Sequence, residues 1–358
     1  MPGDNMKKNL ISSLLAVILT GIAGAAAAQV IDPEELVPFE VPAVQAPQEL
    51  QAGNGFLIIG HAGAVRLEPE NTLEGFRQAL NYGANALETD LSITRDGQLI
   101  NWHDWDPDDA AALAKQAGLQ GFKYKPRPPV IGSGYRRRVD TLNLEDIIRE
   151  YGYCLNQPGC VRSKHKIPTF EQFAKWAAGE SRLKLIYLDI KIPEDREELV
   201  PVFVDAVAKV AGKYAINDRM VLFSPYINIL TKMAIYSGQK GYNLEIGLDR
   251  ELPVKLFMEE TLTNIQEQLY SVVGLAAKFG LKYSSIGKPT AITLLNGWRN
   301  YQQVVRTNVK AKKHYPAIQF ISWTIDDESE MRWLINAGVD GIVTDNPARL
   351  AYIFNSME

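Results

Sequence analysis

The feature that most constrains the fold of this 358-residue chain is a regular alternation of two kinds of segment after Ile167. Short runs rich in β-branched and aromatic residues alternate with longer segments whose apolar residues recur at helical spacing, for example between 199 and 210. Parallel strands need a long crossover, which is usually a helix. The alternation therefore predicts a parallel sheet with right-handed crossovers. The candidate strands of this region begin near residues 184, 219, 243, 281, 318 and 340.

Two earlier candidate strands, near 56 and 86, bring the total to the eight that a TIM barrel needs. A ninth run, Gln98–His103, lies too close to Asp90 for a crossover helix between them. The turn residues Asp96-Gly97 indicate instead a hairpin arm that folds back after the second strand. We therefore predict a (β/α)8 barrel over residues 55–358. A flavodoxin-like open sheet is the alternative, and it fits the strand count less well.

Two acids lie on one face of the second candidate strand. In the run ALETDL, side chains alternate between faces, so Glu88 and Asp90 project together. Two like charges about 4 Å apart repel by about 4 kcal/mol at an effective dielectric constant near 20, so a cation or a raised pKa must offset the repulsion. The alternative is an exposed strand edge, which the flanking leucines argue against. The pattern predicts a metal site.

Two of the four histidines fall at strand ends beside these acids. His61 follows the first candidate strand and His103 follows the hairpin arm, whereas His165 and His314 lie in lysine-rich loops. An isolated histidine is usually structural or exposed. A pair beside clustered carboxylates, with a pKa that is easily tuned near neutrality, favours proton transfer.

The spaced motifs of residues 56–105 resemble the glycerophosphodiester phosphodiesterase family. In order they are H-x-G, P-E-N-T, E-x-D, T-x-D-G and H-D, and the block SWTIDDESEMRWLINAGVDGIVTDNP resembles the family's closing segment. The resemblance implies hydrolysis of glycerophosphodiesters to glycerol 3-phosphate and an alcohol. It implies Asp189 as a third metal ligand beside Glu88 and Asp90, with His61 and His103 as general acid and base. An all-oxygen ligand set suits one Mg²⁺ or Ca²⁺.

The resemblance also implies substrate contacts. Lys191 would contact phosphate, although Asp189 and Lys191 two residues apart would equally form a plain salt bridge. Trp323 would form an apolar wall for the glycerol or alcohol moiety, with core packing as its alternative. Glu70 of the P-E-N-T motif is expected to support the site from the loop after the first strand.

Residue 62 departs from the family pattern. Members usually carry an arginine after the first histidine, where it contacts phosphate, and here that position is Ala62. Arg66, four residues on in the same loop, either substitutes for that arginine or is an ordinary surface residue. The departure motivates a non-catalytic phosphate-ester-binding protein as an alternative function. A second alternative is a lysophospholipid- or sphingolipid-directed phosphodiesterase, which would need a channel for an acyl chain.

Two expectations concern helix capping. Asn71 and Glu74 are expected to form a capping pair at the first helix. Asp345 and Asn346 are expected to cap the final turn rather than to take part in chemistry.

The first 28 residues are typical of a secretory signal peptide. Lys7 and Lys8 precede an apolar run, which ends in an A-x-A cleavage site before Gln29. A membrane anchor is the alternative, but the run is broken by polar residues and no stop-transfer charges follow, so we expect no stable membrane anchor. The chain would then be periplasmic or secreted. Residues 29–54, with four prolines, are expected to form an extended leader.

Residues 105–166 are expected to be an insertion over the barrel mouth rather than a second domain with its own core, because they depart from the strand–helix alternation. Both cysteines, Cys154 and Cys160, lie there. In an exported protein this pair is most simply a disulfide.

Whole-chain charge bears on the partner. A net charge of −4 gives no footprint for nucleic acid or for an anionic membrane. The expected partner is a small-molecule phosphodiester. The sequence assigns no oligomeric state.

Overall fold

A closed barrel of eight parallel strands forms the centre of the molecule, which a computed structural model describes at residues 55–251, 271–288 and 297–357. In chain order the barrel strands are β1 (Leu57–Gly60), β2 (Ala86–Ile93), β6 (Leu185–Ile190), β7 (Met220–Ser224), β8 (Glu245–Glu251), β9 (Tyr283–Gly287), β10 (Gln319–Trp323) and β11 (Gly341–Thr344). The remaining strands are β3 (Leu99–Asn101), β4 (Tyr124–Pro126) and β5 (Tyr153–Leu155). All eight barrel strands coincide with the predicted ones.

Strand pairing closes the sheet. Strand β1 pairs in parallel with both β2 and β11, and the order around the barrel is β1-β11-β10-β9-β8-β7-β6-β2. Strand β3 pairs antiparallel with β2, with Leu91 opposite Asn101. The barrel and its hairpin arm are therefore confirmed. The flavodoxin-like sheet is excluded because an open sheet leaves its edge strands unpaired.

Helices cover the outside of the barrel. They are α1 (Leu73–Asn81), α2 (Ala110–Gln116), α3 (Leu144–Glu150), α4 (Phe170–Ala178), α5 (Val200–Tyr214), α6 (Ile227–Lys240), α7 (Val272–Lys278), α8 (Gly297–Lys312), α9 (Glu328–Ala337) and α10 (Pro347–Met357). Helix α4 begins with a capping box between Thr169 and Gln172, in which each side chain bonds the other's backbone.

Alternating residues of the strands build two separate apolar layers. On β1, Ile58 joins the large cluster between sheet and helices, whereas Ile59 joins the smaller cluster inside the barrel. Inside, the rings of Tyr187 and Phe223 stack with centroids 3.7 Å apart. A Cβ atom at Gly247 would clash with the Phe223 ring, so the glycine leaves the space that this stack occupies. The filled interior closes the barrel beneath its C-terminal mouth.

Helix α1 is capped differently from expectation. Its N-cap is Thr72, whose hydroxyl accepts a hydrogen bond from the Gly75 amide at 3.1 Å. The predicted capping pair of Asn71 and Glu74 is therefore wrong. The Asn71 side chain instead bonds to β2, because the buried carboxylate of Asp90 needs its amide as a donor.

The segment after β3 contains α2, β4, α3 and β5. Its apolar residues pack with the hairpin arm in a small cluster around Trp102, Tyr151 and Tyr153. Cys154 and Cys160 stand at disulfide distance, with Cα atoms 5.2 Å apart. The chain returns from the segment beside β3, where the backbone amide of Asn101 donates to the Pro168 carbonyl at 3.0 Å.

The predicted signal peptide and leader, residues 1–54, lie outside the described residues. Among the residues that are described, no helix is both long and apolar enough to cross a bilayer.

Candidate active site

A cavity of about 520 Å³ lies at the C-terminal ends of the barrel strands, where side chains from several strands converge. Its walls include both predicted histidines and all three predicted metal ligands. Some residues of the stretch 105–112 in the insertion also line the cavity, among them Trp105 and Asp109. The cavity lies within the size range of small-molecule sites.

Glu88, Asp90 and Asp189 form the acidic centre of the cavity. One carboxylate oxygen from each lies within 4.8 Å of the other two. Glu88 and Asp90 are buried on the inner face of β2, and Asp189 lies beside Asp90 on the paired strand β6. Burial and the charge of Asp90 raise the pKa of Glu88 to about 8. Glu88 and Asp90 thus carry the mutual repulsion that the sequence predicted, and the charge of Asp189 adds to it.

Asn71 holds the Asp90 carboxylate in place. Its side-chain amide donates to Asp90 Oδ2 at 2.6 Å, while its carbonyl oxygen accepts from the Asp90 amide at 3.0 Å and from the Thr89 hydroxyl at 2.7 Å. The backbone amide of Asn71 donates to the Ala62 carbonyl at 2.8 Å. The first loop of the barrel is therefore joined to β2, the strand that carries Glu88 and Asp90.

Lys191 supplies a positive charge to the acidic centre. Its Nζ atom lies 2.8 Å from Asp90 Oδ1 and 2.7 Å from Asp189 Oδ2. Burial alone would raise the pKa of Asp90, but the nearby cations, Lys191 foremost, hold that pKa well below its usual range. Among described residues that line the cavity, Lys191 is the only lysine or arginine.

His61 is oriented by an aspartate from the opposite end of the chain. Its Nδ1 donates to Asp345 Oδ1 at 2.6 Å, which leaves Nε2 for proton exchange. Burial opposes protonation of His61, but the charge and hydrogen bond of Asp345, with the charges of Glu88 and Asp90, raise its pKa to about 10. The expectation that Asp345 only caps the final turn is wrong, because its carboxylate binds this ring. Asn346 does cap, accepting from the Arg349 amide at 3.1 Å.

His103 has a similar arrangement. Its Nδ1 donates to Asp104 Oδ1 at 2.8 Å, and Asp104 is buried. Lys115 of α2 lies 4.0 Å from the same carboxylate and donates to Glu70 Oε2 at 2.8 Å. Glu70 is thus connected to His103 by three contacts, through Lys115 and Asp104, and its supporting role stays a prediction.

Trp323 lies at the end of β10 and lines the cavity. Its indole Nε1 donates to Asp249 Oδ1 at 2.6 Å. Burial and the charge of Asp189 raise the pKa of Asp249 to about 6. A Cβ atom at Gly287 would lie 2.5 Å from the Trp323 ring, so the glycine admits the indole beside β9. The ring forms a wall of the cavity.

Arg66 does not join the cavity walls. Its guanidinium lies 3.6 Å from Asp326 Oδ2, and about half of its side-chain surface is exposed. At Ala62 the structure uses the backbone instead of a side chain, because the Ala62 amide donates to Glu88 Oε2 at 2.7 Å. Ala62 adopts a left-handed backbone conformation with φ 45°.

The acidic centre fits a hard divalent cation. Its donor atoms are all carboxylate oxygens, and they converge from two paired strands. Lys191 bridges two of these carboxylates. Oxygen donors of this kind are the ligands of Mg²⁺ and Ca²⁺. Glu88, Asp90 and Asp189 are therefore the residues that can hold the ion.

Residues 61–349 match the Glycerophosphoryl diester phosphodiesterase family, a span that contains the whole site. The chain belongs to this family. It is accordingly an enzyme of the phosphodiesterase class. The Glycerophosphodiester phosphodiesterase of Caldanaerobacter subterraneus subsp. tengcongensis is 24% identical over 297 residues, which are 82% of this chain and 96% of that protein.

Solved structures share the fold. A glycerophosphodiester phosphodiesterase from Parabacteroides distasonis gives a TM-score of 0.55 at 16% identity, covering 85% of this chain and 98% of that one. A phosphodiesterase from Oleispira antarctica, solved with the product sn-glycerol-3-phosphate, gives a TM-score of 0.52 at 16% identity. The match covers 83% of this chain and 96% of that one. Both likenesses concern the barrel architecture.

Sequence reasoning missed several residues that support the phosphodiesterase site. They are Asn71, Asp104, Lys115, Asp249, Asp326 and Asp345. Asp104 was within reach, since it directly follows His103 in a conspicuous H-D pair. Asp345 also follows a barrel strand, the position where active-site residues collect.

The Asp345 contact gives a direct test. In protein kept free of divalent cations, Asp345→Asn is expected to lower the pKa of His61 by about 1 to 3, because an adjacent opposite charge favours the protonated ring. Titration of the imidazole resonances by NMR measures this, with His314 on the surface as an internal reference. The control Asp106→Asn, which removes another cavity acid, should leave the His61 titration in place. Equal titration curves for Asp345→Asn and the wild type would contradict the assignment.

Proposed function

We propose that this chain hydrolyses glycerophosphodiesters to glycerol 3-phosphate and an alcohol, with one divalent cation and two histidines as general acid and base. The observation that carries the proposal is the pairing of each histidine with its own aspartate at the edge of one carboxylate centre. Both rings line the same cavity, and each uses Nδ1 for its aspartate, so Nε2 is the atom that would exchange a proton with the substrate. Two positioned proton-transfer groups beside a cation site can supply the acid, base and Lewis-acid catalysis by which a phosphodiester is cleaved.

Glu88, Asp90 and Asp189 would hold the cation, Mg²⁺ or Ca²⁺. When bound, it polarises the phosphoryl oxygens. Lys191 would contact the phosphate from the same side, since its ammonium already lies between Asp90 and Asp189. With alanine at position 62, this lysine is the cationic phosphate contact that the described cavity walls offer. A phosphate role for Arg66 stays a prediction, and it requires the side chain to leave Asp326.

The histidines would move the protons. The raised pKa of His61 favours its protonated form, so His61 is assigned to protonate the leaving alcohol as its P–O bond breaks. His103 is then the base that takes a proton from the attacking oxygen. That oxygen belongs to water or to the adjacent hydroxyl of the glycerol moiety, in which case water opens the resulting cyclic phosphate. Trp323 would form the apolar wall against which the glycerol or alcohol moiety lies.

Removal of the cation is expected to abolish hydrolysis of glycerophosphodiesters, with recovery on adding back Mg²⁺ or Ca²⁺. Glu88→Gln and Asp90→Asn should each lose both activity and calorimetrically measured cation binding, because each removes a charged oxygen ligand. The matched control Asp106→Asn removes a cavity acid outside the cluster and should bind the ion normally. Full activity in excess chelator would refute the metal-assisted mechanism. A panel that includes lysophospholipids and sphingolipid head groups separates the proposed substrate from the lipid-directed alternative.

The histidine roles predict a leaving-group dependence. His61→Ala and His103→Ala should each lower kcat on glycerophosphodiesters by roughly 10²- to 10⁴-fold, the usual range for general acid or base work. A p-nitrophenyl ester needs little protonation of its leaving group, so it should restore turnover in His61→Ala and not in His103→Ala. Because the two act together, the double substitution should cost less than the product of the single effects. Rescue of His103→Ala alone would reverse the assignment, and near-normal kcat in both variants would show structural histidines.

Export is the remaining part of the proposal. We propose that residues 1–28 are removed and that Cys154 and Cys160 are joined in the oxidising compartment that the protein enters. The bridge closes a short loop and is expected to stabilise that region by about 2 kcal/mol. Mass mapping of exported protein should find Gln29 at the N-terminus and one linked cysteine pair. Two free thiols in exported protein, or an uncleaved N-terminus, would contradict the corresponding half of this proposal.

A further inference from the structure

A strongly basic segment interrupts a chain whose net charge is −4. Between Lys123 and Arg138 there are six lysines and arginines and no aspartate or glutamate. Arg136 pairs with Asp108, and Arg138 pairs with Asp140. Within the ranges that the structure covers, the other four, which are Lys123, Lys125, Arg127 and Arg137, form no salt bridge. The whole-chain charge therefore hides a local positive field.

The same segment presents two bare aliphatic side chains. Ile131 is 85% exposed and Val130 is 77% exposed, the highest values among the large hydrophobic residues described. They lie side by side at the tip of the 127–138 loop, next to Gly132. Two adjoining, almost fully exposed aliphatic side chains make a small contiguous apolar patch, and contiguous exposed apolar patches are the surfaces at which interaction sites are found.

The 127–138 loop is held in shape from within. The guanidinium of Arg136 donates to the Pro129 carbonyl at 2.8 Å. The Tyr151 hydroxyl lies 2.9 Å from the carbonyl oxygens of both Tyr135 and Arg137, which share its one donor proton. A turn closes the tip, where the Ser133 amide donates to the Val130 carbonyl at 3.0 Å. A loop fixed before binding loses less conformational entropy when it docks.

We propose that the 127–138 loop docks this protein reversibly on an anionic phospholipid surface. Its aliphatic tip would enter the boundary between head groups and acyl chains, while the basic residues meet lipid phosphates. Nucleic acid is the other polyanion that unpaired lysines and arginines attract, but it offers nothing to bare aliphatic side chains and is bound by basic grooves with aromatic stacking. The combination of charge and aliphatic tip fits a membrane.

Docking would bear on the cavity through one residue. Arg136, which donates to the Pro129 carbonyl within the loop, also donates to the Pro107 carbonyl at 2.9 Å and to Gln116 Oε1 at 2.9 Å. Pro107 lies within the stretch from Trp105 to Ala112 that contributes to the cavity wall. The docked loop would therefore keep the cavity wall close to the lipid surface. This inference concerns surface binding and does not require turnover, so it stands or falls separately from the proposed hydrolysis.

Vesicle sedimentation tests the docking with the full chain. The protein should sediment with vesicles of equal parts phosphatidylglycerol and phosphatidylcholine at low salt, and much less with pure phosphatidylcholine. Raising the salt to 0.5 M should release most of it, because surface charge attraction is screened. Failure to sediment with the anionic vesicles would overturn the proposal. Salt-sensitive binding to a single-stranded oligonucleotide without vesicle binding would overturn it in favour of nucleic acid.

Paired variants separate the two parts of the surface. Lys123→Gln with Arg137→Gln should weaken the partition coefficient roughly 25-fold, since each basic residue near an anionic surface strengthens binding about fivefold. The control Arg77→Gln with Lys175→Gln removes two exposed charges from α1 and α4 and should bind like the wild type. Val130→Ser with Ile131→Ser should weaken binding at least about tenfold. Its control is Val202→Ser with Ile235→Ser, which alters side chains 52% and 56% exposed on α5 and α6.

The midpoint of thermal unfolding serves as the folding check, because it is measured without turnover, and it should stay near the wild-type value in all four double variants because every substituted side chain is exposed. A loop variant that keeps this midpoint and still sediments like its control would overturn the role of the loop.

Discussion

The electrostatic repulsion among three carboxylates at one end of a barrel is the constraint on which the site depends. Glu88, Asp90 and Asp189 are brought together by strand pairing, because β2 and β6 place Asp90 directly opposite Asp189. The fold offsets the repulsion with donors and cations drawn from several elements. Asn71 reaches from the first loop and Lys191 from the strand that carries Asp189. A carboxylate cluster with this support can keep its shape when a metal ion arrives.

The two histidines are fixed by similar bonds with different origins. The His103–Asp104 bond joins neighbours in the chain, so it forms wherever that segment takes its local shape. The His61–Asp345 bond joins residues 284 positions apart, and it exists because β1 pairs with β11. Closure of the barrel and formation of the His61–Asp345 bond are therefore the same event. Loss of the last strand would leave His61 without its orienting carboxylate.

The sequence was most informative where function and local pattern coincide. The eight barrel strands, the hairpin arm, and the placement of Glu88, Asp90, His61 and His103 on one cavity were readable because each depends on spacing within one strand or on strand ends. Contacts between distant segments were not readable. Asn71 reads locally as a helix cap, but tertiary structure assigns its amide to Asp90. Asp345 likewise reads as a cap until the barrel closes. Lys115 lies on a helix of the insertion, a segment without any regular pattern from which its neighbours could be derived.

The insertion leaves and re-enters the barrel at one point. The bridge between Ile100 and Thr169, with the bond from the Asn101 backbone amide to the Pro168 carbonyl, sets the residues that flank the insertion side by side. Closing such a segment costs little more entropy when it is lengthened, so its size can change without altering the strands beneath it. A deletion within the outer part of the insertion is therefore expected to leave the pairing of β2 with β6 intact, whereas a change at Trp105 or Asp109 alters the cavity itself. The insertion thus has one part that tolerates changes of length and one part that belongs to the site.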